Sequence, residues 1–362
     1  MIVIVSAIKS DYRLVISMKS KKRTARLADV AELAGVSIAT ASMVLNNKDG
    51  GRFTDETRQK VAEAAEKLNY RPAAYAQIMK GKHLPVIGLI IPDLMNHFYG
   101  EVTSGFSHQA YRAGYNVILM DLGNSPEREE SFVETLIAMN VSGVGYCGIG
   151  NSSASGQAEV INNLHAAGIP VIQFDRYDPA VEAPFVGIDN FHAGFCMTEK
   201  LILSGHKNIA LIVPEHTVFI VRERQRGYEA AMRHYELESS VFTYDSSQSW
   251  SIYHQFDLIA SSDKKFTAIF TPGGDVDAIE CIRSARKLRI TVPADLSIAG
   301  FDDISLASVI DPPLTTVCQP KYEIGVAAMN LLHELMCDSE PENKNVILPF
   351  ECIVRESTRI IG

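Results

Sequence analysis

No apolar run in this chain approaches the ~18 residues that a membrane-crossing helix needs, so no spanning segment is expected. The six cysteines (Cys147, Cys196, Cys281, Cys318, Cys337 and Cys352) are scattered, with no Cys-x-x-Cys pair and no nearby His pair. That excludes a disulfide framework and a zinc ribbon and predicts free thiols in a reducing compartment, the cytoplasm. The ten histidines lack metal-ligand spacing, and there is no GxSxG elbow, Walker loop or HExxH helix. Gly143, Gly145 and Gly148 do match GxGxxG. They fall inside an apolar, strand-like run, however, and the next strand-ending acid, Asp175, is too distant for a dinucleotide fingerprint. The expectation is a binding protein with no catalytic residues, no cofactor and no metal. The opening "MIVIVSAIKSDYRLVIS" starts apolar, without the charged region that precedes such a run in a signal peptide and without a small-residue cleavage site after it. Met18, just before "KSKKRTARL", makes these 17 residues a candidate extension.

What is present is unevenly charged. The net formal charge is −9, yet residues 18–82 hold 13 Lys/Arg against 7 Asp/Glu, and residues 83–362 hold 19 against 35. A basic head on an acidic body points one end at a polyanion. In that head Leu27, Val30, Ala31 and Ala34 recur at helical spacing. Gly35 follows as a left-handed stop, and Ser37 is an N-cap for a second helix with Ala41, Val44 and Leu45 inward. Thr54, followed by Asp55 and Glu56, starts a third helix running to Tyr70. Ile38, Ala39, Ser42, Met43 and Asn46 point away from this core, suited to base edges and thymine methyls in a major groove. Ser37, Thr40, Ser42 and Asn47 are short donors for phosphate oxygens. A three-helix packing domain that meets another protein is the competing reading of the same residues.

The stretch "LADVAELAGVSIATASMVLNN", with "TDETRQKVAEAAEKLNYRPAAYAQIMKGK" after it, resembles the head of the LacI/GalR family of bacterial regulators. The resemblance continues from "VIGLIIPDL" through "GFDDISLASVIDPPLTTVCQP" to "VRESTRIIG" and covers residues 26–360. It implies a DNA-binding domain at 26–72 and a hinge at 73–82 that becomes helical only over the operator. Thr54 and Tyr70 complete the head's DNA-facing set. In the hinge, Ala76 and Met79 join them, Met79 as an apolar wedge in the minor groove. Met43 stands where many members carry a guanine-gripping Arg, so the operator should differ at the facing base pair.

From Val86 onward apolar runs such as "VIGLII", "NIALIVP" and "LSIAGFDD" alternate with helical patterns, which predicts an α/β body of parallel sheets with ligands at the strands' carboxyl ends. Asp121, Asp175 and Asp302 stand at such ends. The resemblance implies a two-lobed, periplasmic-binding-protein-like body at 84–362. Lobe one would hold 84–188 and 320–346, and lobe two 189–319 and 347–362. Effector contacts would map to Phe98, Tyr99, Asp175, Arg224, Trp250, Asp302 and Gln319. Gly274 replaces a common Asn, and "EHTVFIV" before Arg224 is unusually apolar. The expected function is a homodimeric repressor of a pseudo-palindromic double-stranded DNA operator, governed by a small-molecule effector of sugar or nucleoside type. A body answering to a partner protein, or a periplasmic sugar receptor, are the alternatives. With the chain stopping just after "RESTRIIG", no heptad tail is seen, and dimers without tetramers are expected.

Overall fold

The computed structural model describes residues 25–45, 52–70, 84–150, 154–177, 181–248, 250–337 and 343–361. The expected hinge, and with it Ala76 and Met79, lies outside the described residues, as do Asn46 and Asn47. The chain divides into two units, one ending at Gly81 and the other beginning at Lys82.

In the first unit α1 (Leu27–Ala34) ends on Gly35, whose φ of +67° only glycine adopts cheaply. The Gly35 N–H closes onto the last turn, and Val36 N–H reaches Ala31 O at 2.9 Å. Ser37 Oγ accepts from Thr40 N at 3.0 Å and so caps α2 (Ile38–Leu45). The two helices meet at 102°, the crossing expected of a helix-turn-helix. α3 (Asp55–Lys67) is capped by Thr54, which accepts from Thr57 N, and carries Asp55 and Glu56 where the helix dipole favours acids. Val30, Ala31, Ala41, Val61 and Ala64 form its core, with Val36, Val44, Leu45 and Tyr70 packed around them.

The second unit contains two six-stranded sheets. The first joins β1 (Leu84–Ile91), β2 (Asn116–Asp121), β3 (Val141–Tyr146), β4 (Val171–Phe174), β5 (Phe185–Ile188) and β11 (Asn345–Leu348) in the order 11-5-4-3-1-2, all parallel. The second holds β6 (Ile209–Pro214), β7 (Ser240–Tyr244), β8 (Ala268–Phe270), β9 (Ser297–Asp302), β10 (Thr315–Cys318) and β12 (Glu351–Ile353) in the order 12-10-9-8-6-7. Only β12 runs antiparallel there. The two orders repeat one topology. Strands such as β6 and β9 are buried almost throughout, as sheets covered by helices on both faces require.

The helices between the strands are α4 (His97–Arg112), α5 (Pro126–Met139), α6 (Ala154–Ala166), α7 (Asn190–Leu203), α8 (Phe219–His234), α9 (Ser251–Ala260), α10 (Asp275–Lys287) and α11 (Lys321–Met336). In each lobe one helix pair crosses through glycines. A Cβ on Gly105 of α4 would lie 2.1 Å from Tyr322 O, and one on Gly325 of α11 would lie 2.0 Å from Val102 O. In the other lobe a Cβ on Gly194 of α7 would lie 2.1 Å from Arg224 O, and one on Gly227 of α8 equally close to Phe191 O. These contacts bring backbones together at a distance that any side chain would forbid.

The chain passes between sheets three times, after Ile188, after Cys318 and after Leu348. The third crossing thus falls at Pro349–Phe350, later than the boundary at 346 expected from sequence, because β11 keeps its ladder with β5 through the pair Leu348–Ile188.

Candidate functional site

On α2, Ile38 is 54% exposed and Ala39 and Ser37 are exposed, while Thr40, Ser42 and Met43 are half-buried. Neither Ile38 nor Met43 joins the head's apolar cluster, so both remain on the face turned from it. Thr54 spends its hydroxyl on the α3 cap, and Tyr70 packs against the core with its phenol pKa raised by burial.

In the second unit, Phe98, Tyr99, Asp175, Arg224 and Asp302 line one cleft, with Asn96, Arg176, Val218, Ile220, Val221 and Gly273. The first sheet's lobe supplies Asn96 to Arg176, and the second sheet's lobe the rest. Asp175 follows β4 and Asp302 ends β9, the strand-end placement at which open α/β sheets hold ligands. Both have positive φ, +55° and +106°, a strained backbone that turns each carboxylate out of its sheet edge.

Each group is held by neighbours. Tyr99 OH donates to Asp175 Oδ2 at 2.9 Å, and Gln319 Nε2 donates to Asp302 Oδ1 at 2.7 Å. Arg224 donates from Nε to Asn190 Oδ1 at 2.7 Å and from Nη1 to Pro272 O at 2.8 Å. Its guanidinium carbon lies 3.6 Å over the Phe301 ring, and Nη1 is 4.0 Å from Asp302 Oδ1. Lys321 Nζ, at the start of α11, donates to the carbonyls of Asp302 and Asp303 at 2.9 and 2.8 Å and so ties the lobes at the second crossing. Burial raises the pKa of Asp175, against the pull of Arg224 and Arg176. Burial, with Asp175 nearby, pushes Asp302 up to about 6 although Arg224 opposes it. Cys147 sits behind Tyr99, and burial pushes its thiol up to about 12, far from a reactive thiolate.

These contacts leave the cleft little room, a free volume of about 30 Å³. A larger, open groove of about 590 Å³ lies by the third crossing between Asp189, Lys200 and Phe350, away from the converging charges. Gly274, with φ +149°, stands where an Asn side chain would crowd Asp302, since even a Cβ there would lie 3.2 Å from Oδ2. Gln319 touches the cleft through Asp302. Trp250 is not brought there. It is 60% exposed one residue before α9, with its ring against His254 on the same helix, because that local pairing turns it outward. Arg176 and Asn96 are not among the residues expected from sequence, although Arg176 directly follows a strand-ending acid and Asn96 caps α4 by accepting from Phe98 N–H.

The comparisons with known proteins bear on both units. Residues 26–73 match the family described as "Bacterial regulatory proteins, lacI family", and residues 84–262 "Periplasmic binding proteins and sugar binding domain of LacI family". The "HTH-type transcriptional regulator RegA" of Clostridium saccharobutylicum is 32% identical over 335 residues, 92% of this chain and 98% of that protein. The chain belongs to the LacI family. Among solved structures, this LacI-family chain resembles a lac repressor dimer bound to operator and the anti-inducer ONPF, with a TM-score of 0.77 and 25% identity over 93% of this chain and all of that one. A transcriptional regulator CelR–cellobiose complex matches with a TM-score of 0.68 and 25% identity, over 92% of this chain and 99% of that one. As a member of the family the chain is a helix-turn-helix transcriptional regulator with a periplasmic-binding-protein-like body. Among the described residues no single helix is long and apolar enough to cross a membrane.

Proposed function

We propose that the protein is a cytoplasmic, homodimeric repressor that reads a pseudo-palindromic operator with Ser37, Ile38, Ala39, Thr40, Ser42 and Met43. A small molecule with sugar-like hydroxyls, closing between Asp175 and Tyr99 of one lobe and Arg224 and Asp302 of the other, sets its operator affinity. The observation that carries this reading is the convergence of two buried carboxylates and a buried guanidinium from both lobes on one cleft. A carboxylate and a guanidinium fork satisfy adjacent hydroxyls, and the flat face of Phe98 suits the ligand's apolar side. No separate cofactor or metal enters this scheme. The dimer is supported by exposed apolar side chains in the first lobe: Leu94 and Met95 shortly after β1, Met95 81% exposed, and Leu119 on the edge strand β2.

The test is a thermal-shift screen of sugars and nucleosides on the whole protein, followed by operator binding with each hit. Arg224→Ala and Asp302→Ala are expected to weaken the hit's binding roughly tenfold to a hundredfold, each losing charge-assisted bonds of about 1.5–3 kcal/mol. Operator binding without ligand should persist in both. Unchanged response in the two variants would move the effector out of this cleft.

A further inference from the structure

The cleft's two guanidiniums are not equivalent. Arg224 is bonded to Asn190 and Pro272, stacked on Phe301 and adjacent to Asp302. Arg176 is half-buried, and its one hydrogen bond among the described residues runs from Nη1 to Ile149 O at 3.0 Å. Asp175 and Asp302 act on it electrostatically, but neither forms an ion pair with it: Asp175 takes the Tyr99 hydroxyl and Asp302 the Gln319 amide. A guanidinium carries five N–H donors in a rigid fork. Most of those on Arg176 therefore have no hydrogen-bond partner among the described residues.

The same corner receives the start of α8. Its N-cap is Val218, which offers no side-chain acceptor, and its first turn carries no acid. Val218, Ile220 and Val221 line the cleft. Gly150, next to the carbonyl that holds Arg176, lies against Val218, since a Cβ on it would fall 2.6 Å from Val218 Cγ1. The start of α4, by contrast, is already capped, with Asn96 accepting from Phe98 N–H at 3.0 Å. Val221 N–H and Arg222 N–H close onto Val218 O, so the helix start offers the amides of Phe219 and Ile220, and with a guanidinium of spare donors beside them it favours an anion.

Resting on the effector reading above, we infer that the effector carries an anionic oxygen group, phosphate or carboxylate, which Arg176 and the start of α8 receive while Asp175, Asp302 and Arg224 take its hydroxyls. The effector is then a sugar phosphate or a sugar acid, not a neutral sugar or nucleoside. The apolar side chains around that helix start exclude competing water and leave the fork as the specific partner.

Thermal unfolding of the whole protein tests this, with inorganic phosphate at about 20 mM against chloride of equal ionic strength, then glucose 6-phosphate, gluconate and glucose. Phosphate or one of the two anionic sugars is expected to raise Tm by about 2 °C or more over its control. Arg176→Gln should abolish that shift and Arg176→Lys should keep part of it, which separates loss of the site from loss of the fold. A response to glucose 6-phosphate without gluconate identifies the phosphate source, and the reverse identifies the carboxylate. The absence of any Arg176-dependent shift from these anions overturns the inference. Should neutral sugars or nucleosides instead stabilise wild type and Arg176→Gln alike, and fail with Asp302→Ala, the cleft remains the effector site and the anion is wrong.

Discussion

Met43 is a methionine on the reading helix, half-buried yet outside the head's apolar cluster. A thioether offers no donor to guanine, so the major-groove contact proposed for Met43 is apolar, of the kind a thymine methyl makes. Met43→Arg should shift one symmetric position of each half-site towards G, with about 1–3 kcal/mol of discrimination from a bidentate pair. A binding-site selection reads this directly, and an unchanged half-site would place Met43 against protein. Residues of this kind were legible in the sequence because helix spacing alone separates inward from outward positions. Asp175 and Asp302 were legible for a similar reason, each ending an apolar strand. Trp250 was not: sequence order places it near the second lobe's strand ends, but only the fold reveals that its ring turns onto His254. Arg176 escaped notice because nothing local distinguishes a guanidinium with spare donors from a paired one.

At the scale of elements, the arrangement around Arg224 rests on two glycines whose role no periodicity displays. α7 and α8 touch at Gly194 and Gly227, and the backbone pressed against Gly194 is that of Arg224 itself. Gly194→Ala must push α8 outward. We expect an overpacking cost of about 1–3 kcal/mol, seen as a lower Tm, together with weaker effector binding as the guanidinium leaves Asn190. Full effector affinity in this variant would show that the helix pair does not position Arg224. The second lobe also carries acids that are costly to ionise. Burial raises Asp275 to about 8, with Asp302 adding to it, although Thr316 and the Ile304 N–H bond its carboxyl. Burial likewise raises Asp277 to about 7, where Tyr244 OH donates to it, and Asp302 to about 6. The folded state thus holds protons that the unfolded chain has released above a pKa of about 4. Stability should therefore fall as pH rises from about 4 to about 8 and then level off. Tm measured between pH 5 and 8 should decline in the wild type and less in Asp275→Asn, whose amide oxygen can still accept from Ile304. Identical slopes would assign the decline to other groups. The chain's division into a helix-turn-helix and alternating strand–helix units was readable from turn residues and apolar runs. The exact exit of β11 was not, because Leu348 belongs to the first sheet only by its pairing with Ile188.

For the whole molecule, effector and operator are coupled through one equilibrium, so each must change the other's affinity by the same factor. The body's ground state matters to that coupling. Between its lobes the free volume is about 30 Å³, and Arg224, Gln319 and Lys321 already gather around Asp302 there. That is well below the roughly 300 Å³ or more of a small-molecule pocket. The lobes must part first, and their parting is a unimolecular event with its own clock. In rapid mixing, the observed association rate should climb with ligand concentration only until it meets the opening rate, and then stay flat. A strictly linear climb would mean that the doorway stands open most of the time. Held behind that doorway, a captured ligand would also leave slowly, giving the regulator a memory of recent supply that outlasts a brief dip in concentration.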